Sequence, residues 1–246
     1  MTKPGEPARG LPKRFYTTVS VEAKGPGDYH IRLDGRAVRT PAKAELAVPT
    51  AALAQAIAEE WQAQGTHIDP SSMPLTRLAN SAIDGVTRRE AEVRADIAKY
   101  AGSDLLCYRA EAPEALQRRQ AEVWDPILRW AEQDLGARFT ISIGLMPVAQ
   151  PDAAKAAVAR ALEEYNGFAL AALHVITTLT GSVLLALALA RGRLTAEQAW
   201  AAAHVDEDWQ ISKWGEDAEA KTRTERRWAD MHAASRMLTL LGEENR

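Results

Sequence analysis

The sequence predicts an α+β fold, with a small antiparallel β-sheet and helices in the N-terminal part and a mainly α-helical C-terminal part. Between residues 14 and 48, short β-branched and aromatic runs alternate with turn signals. From residue 152 to 241, apolar residues recur at helical spacing. The 246 residues are 46% apolar and 26% charged, which is typical of a folded globular chain.

The predicted sheet begins with residues 15–21, FYTTVSV, which are rich in residues that favour strands. Gly25-Pro26-Gly27 follows as turn chemistry, and residues 30–33 form a second short strand. Asp34-Gly35 is the strongest short hairpin signal in the chain. We therefore expect antiparallel strands joined by tight turns.

Helices follow the sheet. Pro49-Thr50 opens the first predicted helix, in which Leu53, Ile57 and Trp61 share one face that should cover the sheet, and Gly65 closes it as a left-handed C-cap. A second helix is predicted for 74–84, and residues 87–90 have capping-box spacing for a third.

The middle of the chain mixes both element types. Residues 104–109 and 137–150 look extended, and residues 113–136 look helical, with Pro126 expected to kink or divide that helix. The two extended segments could return to the N-terminal sheet. We predict a flexible tail at 1–13, an α+β domain at 14–103 and a mainly helical domain at 104–246.

Composition limits the function classes. The net charge of −3 argues against a protein that neutralises nucleic-acid phosphates. The chain has a single cysteine, Cys107, which cannot form an internal disulfide, so a reducing compartment is expected. We interpret Cys107 as an apolar residue in a strand rather than as a catalytic nucleophile. The first residues lack the apolar run of a secretory signal.

Residues 168–190 carry no charge and are about long enough to span a bilayer. However, Thr180-Gly181-Ser182 predicts a break, because glycine weakens a helix and serine caps the next one. We favour two short buried helices over a membrane span.

Patterns that carry chemistry are scarce. The sequence contains neither of the glycine-rich nucleotide-binding patterns, G-x-G-x-x-G and G-x-x-x-x-G-K-[ST]. It also lacks the G-x-S-x-G pattern of a nucleophilic serine. His204, Asp206 and Asp208 are close enough in sequence to suggest a metal-dependent hydrolase as an alternative function. A solvated helix face explains the same spacing, so no cofactor or metal is expected.

Residues 206–219 place two tryptophans among six carboxylates and one lysine. Trp209 and Trp214 are five residues apart and cannot share one narrow face, so we expect one buried and one partly exposed. Aromatic side chains ringed by charge are typical of a protein-recognition surface. The segment therefore favours binding over catalysis.

Four motifs occur in order over about 150 residues. They are Glu59-Glu60-Trp61, MPLTRLANSAID at 73–84, WDPIL at 124–128 and DExWQxxxWG at 206–215. From residue 14 onward, this chain resembles the chaperone family that assembles the catalytic head of F-type ATP synthase by holding its alpha subunit.

The resemblance implies an ATP-independent, non-enzymatic chaperone whose partner is that alpha subunit. It also implies a C-terminal bundle of crossing, orthogonal helices. The acid of the Asp206-Glu207 pair carries over as functional, with Glu207 preferred. The predicted partner-binding residues are Asp206, Glu207, Trp209, Trp214, Glu216 and Asp217, and the predicted structural residues are Trp61, Arg77 and Asn80.

The mitochondrial members of the family carry an Arg- and Ser-rich presequence that this sequence lacks. We therefore expect a bacterial cytoplasmic protein, with the mitochondrial matrix as the location if the source is eukaryotic. A monomer in the absence of client is the simplest expectation.

Overall fold

A computed structural model describes residues 10–144, 146–215 and 218–242 of the chain. Its contacts divide the chain into two compact units, Met1–Gly85 with Thr239–Arg246, and Val86–Leu238. The strands are β1 (Val19–Gly25), β2 (Asp28–Leu33), β3 (Arg36–Ala37), β4 (Ala47–Val48), β5 (Tyr108–Arg109) and β6 (Ser142–Ile143).

Helices account for most of the remaining structure. They are α1 (Ala51–Gln62), α2 (Pro74–Asp84), α3 (Glu90–Lys99), α4 (Glu114–Trp130), α5 (Asp152–Leu162), α6 (Gly167–Thr180), α7 (Val183–Ala190), α8 (Ala196–Ala203), α9 (Val205–Trp214) and α10 (Ala218–Gly242). Together with the small sheet they confirm the predicted α+β class.

The first unit contains the antiparallel sheet, in which β2 pairs with β1, β3 and β4. Asp34 and Gly35 both have positive φ, at 47° and 77°, as the predicted two-residue hairpin turn requires. Ile31 and Val48 are buried on the face that α1 covers. The predicted start of this helix is confirmed, and Thr50 is its N-cap, because the Thr50 hydroxyl accepts a hydrogen bond from the Leu53 amide at 3.2 Å.

The second unit has α6 and α7 as its most buried helices. Gly181, with φ of 68°, ends α6, and the Ser182 hydroxyl accepts from the Leu185 amide to cap α7. The predicted break in the apolar run is therefore confirmed. Within the described part of the chain, no helix combines the length and apolarity that crossing a membrane requires.

Two local predictions were wrong, and one of the two alternatives for Pro126 is excluded. Residues 105–107 form a 3₁₀ turn rather than a strand, because the Asp104 carboxylate accepts from the Leu106 amide at 3.1 Å and bends the chain. The short strands β5 and β6 pair with each other in parallel and do not join the N-terminal sheet. Helix α4 runs through Pro126 without dividing.

Two predicted helix caps also differ. Helix α1 ends at Gln62, with Ala63 in right-handed helical geometry, so Gly65 does not provide a left-handed cap. Helix α3 is preceded by a 3₁₀ turn at Val86–Arg88, and its N-cap position is Arg89, whose side chain makes no capping bond, rather than the predicted Thr87. The boundary predicted at 103/104 lies inside the second unit, and the division into domains at 14–103 and 104–246 stays a prediction.

Candidate protein-binding surface

Helices α8 and α9 meet at His204. The Thr195 hydroxyl accepts from the Gln198 amide, and the Gln198 side chain accepts from the Thr195 amide, so a capping box begins α8. At His204 the backbone leaves helical geometry, with φ of −111° and ψ of 18°. Helix α9 begins at the next residue, and the Asp208 amide donates to the His204 carbonyl at 2.8 Å in its first turn.

Very little of α9 is buried. Val205 is its one buried residue, and Trp209 is half-buried with the Lys213 ammonium 4.9 Å from its ring centroid. Ile211 is exposed, and the Trp214 side chain is 79% exposed. Trp214 is therefore the exposed member of the predicted pair, while Trp209 is less buried than expected. We refer to Glu207, Asp208, Ile211 and Trp214, which are all exposed, as the α9 surface.

Asp206 has a different environment from its acidic neighbours. Its Oδ1 accepts a hydrogen bond at 2.7 Å from Nε2 of Gln120, an almost fully buried residue on α4. Gln120 Oε1 in turn accepts from the Ala110 amide at 2.9 Å. Asp206 is half-buried and ties α9 to α4, so it positions the helix rather than facing solvent freely.

Glu207 projects outward next to a buried histidine. His204 Nδ1 lies 2.8 Å from the Trp200 carbonyl oxygen, and because a carbonyl only accepts, this nitrogen carries a proton. His204 Nε2 lies 3.3 Å from Glu207 Oε2. The Glu207 side chain is 60% exposed, so its carboxylate is accessible to a partner.

The acids in the first turn also stabilise α9 itself. Asp206, Glu207 and Asp208 lie at the positive end of the helix dipole, and Lys213 lies at the negative end. The helix ends at Gly215, whose φ of 85° and ψ of 169° are readily adopted only by glycine. These local terms explain why α9 forms although so little of it is buried.

An aromatic cluster behind α9 was missed in the sequence. The Trp200 ring lies 4.0 Å from the His204 ring and 5.4 Å from the Trp228 ring, centroid to centroid, and Trp228 lies 6.1 Å from His232. Trp200 and His204 have the i, i+4 spacing that could have indicated part of it. The other two members, Trp228 and His232, belong to α10, and no local sequence pattern links them to Trp200.

The alternative metal site receives no support from the geometry. His204 directs one ring nitrogen at a carbonyl and the other at Glu207, while Asp206 turns toward Gln120. In the described ranges, no group of three or more His, Cys, Asp or Glu side chains could hold a metal ion. The hydrolase built on His204, Asp206 and Asp208 is therefore not the function we propose.

Comparisons with known proteins agree with the sequence motifs. A family model described as "ATP12 chaperone protein" matches residues 13–132. A solved Agrobacterium tumefaciens protein, described as a candidate chaperone, is 51% identical, with 94% of this chain and 87% of that chain covered and a TM-score of 0.91. Atp12 from Paracoccus denitrificans is 44% identical, with 93% and 98% covered and a TM-score of 0.88. The mitochondrial atp12 protein of Schizosaccharomyces pombe is 26% identical over 220 residues, 84% of this chain and 75% of that protein.

The chain belongs to the ATP12 chaperone family. This is the family of ATP synthase assembly chaperones that the four motifs predicted. The Paracoccus denitrificans relative has also been solved as a variant in which one aspartate is replaced by lysine, with the same TM-score of 0.88 to this chain.

Two of the ATP12 motifs meet in the first unit. Glu60 on α1 accepts hydrogen bonds from the Leu75 and Thr76 amides and the Thr76 hydroxyl of α2, at 2.7, 2.8 and 2.7 Å. These amides lack intrahelical partners at the start of a helix, so Glu60 caps α2 from another helix. The sequence prediction emphasised Trp61 and did not identify this role of Glu60.

The predicted structural residues of this ATP12 protein also lie in the first unit. Trp61 is half-buried, its carbonyl accepts from the Tyr16 hydroxyl at 2.6 Å, and the two rings meet edge to face. Arg77 is exposed and Asn80 is half-buried on α2. Their structural roles stay predictions.

The remaining candidates are placed as follows. Glu216 and Asp217 lie outside the described residues.

Cys107 is buried, and burial raises the pKa of its thiol to about 12, so the geometry does not favour a reactive thiolate. In the WDPIL motif, the buried Trp124 donates from Nε1 to the Ala202 carbonyl at 2.7 Å and so holds α8 against α4.

Proposed function

We propose that this protein is an ATP-independent chaperone that holds the alpha subunit of the F-type ATP synthase head through the α9 surface until the subunit's permanent partner replaces it. Membership of the ATP12 chaperone family supports the assembly role. One observation carries the choice of surface, namely the 79% exposure of Trp214 on a helix that buries only Val205.

The exposed aromatic side chain supplies the apolar part of this surface. Tryptophan has a large apolar area, and burying apolar area against a partner yields roughly 25 cal/mol per Å². Ile211 is three residues before Trp214, close to one helical turn, and is also exposed, so both can contact a partner together. Tryptophan is also among the residues most enriched at binding hot spots.

The carboxylates supply specificity and speed of encounter. Glu207 and Asp208 are exposed beside these apolar side chains. A subunit surface that awaits its partner is apolar at its centre and edged with charge. Carboxylates that meet basic side chains at such an edge favour the correct encounter, and the small apolar area keeps the complex reversible.

The test is the affinity of the purified chain for the purified alpha subunit, measured by isothermal titration and size exclusion at moderate salt. Glu207→Lys should raise the Kd by about tenfold or more, because it reverses charge at an interface edge. Trp214→Ala should weaken binding by a similar factor. Neither side chain is packed inside the protein, so circular dichroism should be unchanged.

The matched control is Glu164→Lys. The Glu164 side chain is 64% exposed and pairs with Arg191, while the Glu207 side chain is 60% exposed and pairs with His204. This substitution should leave the Kd unchanged. A wild-type chain that forms no complex would contradict the proposal. If Glu207→Lys and Glu164→Lys changed the Kd equally, Glu207 would not be part of the contact.

A non-enzymatic role accompanies this proposal. The α9 surface lies on one side of a short helix, and its function as a contact needs no nucleotide, metal or other cofactor. We also propose that the free chain is a monomer. The bacterial relatives, at 51% and 44% identity, are more similar than the S. pombe protein at 26%, which supports a bacterial cytoplasmic location.

A further inference from the structure

A second apolar surface lies in the segment between α4 and α5. Its backbone is fixed at several points. The buried Gln150 side chain accepts from the Thr140 amide and donates to the Thr140 carbonyl, both at 2.8 Å. The Gly144 amide donates to the Arg109 carbonyl, and the Ser142 hydroxyl donates to the Met146 carbonyl, both at 2.9 Å.

The side chains on this fixed backbone point outward. Ile141 is 46% exposed, Ile143 is 66% exposed and Met146 is 77% exposed. Thr140 is already hydrogen-bonded to Gln150, and Ser142 and Ile143 are already paired with β5, so a partner that covered these side chains would lose less of their burial free energy to ordering of the backbone. Exposed apolar groups held in this way mark an interaction surface.

A groove borders the segment. It has a volume of about 240 Å³, with Leu128, Phe139 and Ile141 as its apolar lining. Its charged lining residues are Asp125, Arg129, Glu132 and Arg138. We call these seven residues the basic groove, because its acids are already engaged.

Both acids of the basic groove are in ion pairs, but within the described part of the chain one of its two arginines, Arg129, is not. Asp125 pairs with Arg109 at 2.7 Å, and Glu132 pairs with Arg138 at 3.5 Å. Arg129 is exposed and, among the described residues, makes no ion pair with a carboxylate. Arg129 also lines a second depression of about 280 Å³, to which Arg193 contributes another guanidinium.

We propose that the basic groove and the exposed Ile143 and Met146 form a second docking site, which takes an extended segment of the same client subunit. That segment carries an apolar side chain next to a carboxylate. The apolar side chain enters against Leu128 and Phe139, and the carboxylate pairs with Arg129. The assignment of the occupant rests on the proposed function, and charge complementarity to Arg129 selects the chemistry of the segment.

The experiment compares the Kd of the alpha-subunit complex for wild type, Ile143→Asp, Arg129→Ala and Arg129→Glu. Each substitution should raise the Kd, by about tenfold for Ile143→Asp and more for Arg129→Glu than for Arg129→Ala. Peptides tiling the alpha subunit should include one that binds wild type but not Arg129→Glu. Replacing the carboxylate of that peptide by lysine should restore its binding to Arg129→Glu.

The controls are Phe15→Asp and Arg118→Glu. Phe15 is an exposed apolar residue of the other unit, and Arg118 is an exposed arginine of α4 whose carboxylate partner is Glu114. Both should bind like wild type, and circular dichroism should show every variant folded. If Glu207→Lys weakens the complex while the Ile143 and Arg129 variants bind normally, the second site is overturned and the α9 proposal stands. If wild type forms no complex, both are overturned.

Discussion

A small number of side chains determine how α9 is presented. Asp206 and Glu207 are adjacent, yet the first is tied to Gln120 and the second faces solvent beside His204. The division of roles follows from the helix, since adjacent residues point about 100° apart. The acid–aromatic composition of residues 206–219 was readable in the sequence. The contact with Gln120, 86 residues away, was not readable, because no local pattern links the two positions.

Asp104 provides a stability prediction at the same scale. Its carboxylate accepts from the Leu106 and Leu184 amides, but complete burial outweighs these bonds and raises its pKa from 3.8 to about 6. The folded protein therefore holds this proton more tightly than the unfolded chain does. The stability that the group contributes is fully present below pH 4 and is lost as the pH rises through about 6, by about 3 kcal/mol.

The measurement is urea unfolding of wild type and Asp104→Asn between pH 4 and pH 7. The free energy of unfolding of wild type relative to the variant should fall as the pH rises across this range. Asp34→Asn is the control, because hydrogen bonds from Thr18 lower the pKa of the exposed Asp34 below its usual range. Its difference from wild type should not fall with rising pH, and a constant difference for Asp104→Asn would contradict the assignment.

Helix ends show what can be predicted at the level of elements. The caps at Thr50, Ser182 and Thr195 follow from residue type and spacing, and the structure contains all three. Helix α2 is capped by Glu60, which belongs to another helix, so its own sequence gives no sign of it. Residues 105–107 form a 3₁₀ turn because the buried Asp104 carboxylate accepts from the Leu106 amide, and only Tyr108 and Arg109 of the predicted strand are extended, as β5. Apolar periodicity does not distinguish a turn of this kind from a strand.

Gly167 at the start of α6 is required by close packing. A Cβ at this position would lie 2.7 Å from Thr87 Cγ2 and 3.0 Å from the Thr87 Cα, which belongs to the backbone. Gly167→Ala should therefore lower the free energy of unfolding by about 1–3 kcal/mol. Chemical denaturation measures this change.

Gly102→Ala is the matched control for this prediction. A Cβ at Gly102 meets nothing within 4 Å, and its φ is not positive. This variant should be as stable as wild type or slightly more stable. Equal stability of Gly167→Ala and wild type would show that α6 can move away from Thr87 without loss.

For the whole molecule, the sequence predicted the α+β fold class, but it gave no sign that the end of α10 groups with the N-terminal residues. The last residues of α10 return to the first unit, where the Thr50 hydroxyl donates to the Leu240 carbonyl at 2.9 Å. A contact across 190 residues leaves no local signal. The exposed Ile143 and Met146 were also missed, because an apolar residue in an extended run reads as a buried strand position.

The second unit exposes two separate apolar surfaces, and exposed apolar surfaces of this kind are typical of proteins that bind a partner. The α9 surface and the basic groove each combine apolar side chains with an available charge, of opposite sign in the two places. A client that carries complementary charges at both places binds in a single orientation, because reversing it would bring like charges together. This is the specificity that a chaperone for one subunit requires.

Amide hydrogen exchange of the chain, free and bound to the alpha subunit, tests the use of α9 most directly. Residues 205–215 have few buried contacts, so their amides should exchange quickly in the free chain. In the complex they should be protected, while α5 should exchange alike in both states. A stable complex in which 205–215 exchange as fast as in the free chain would contradict the central claim.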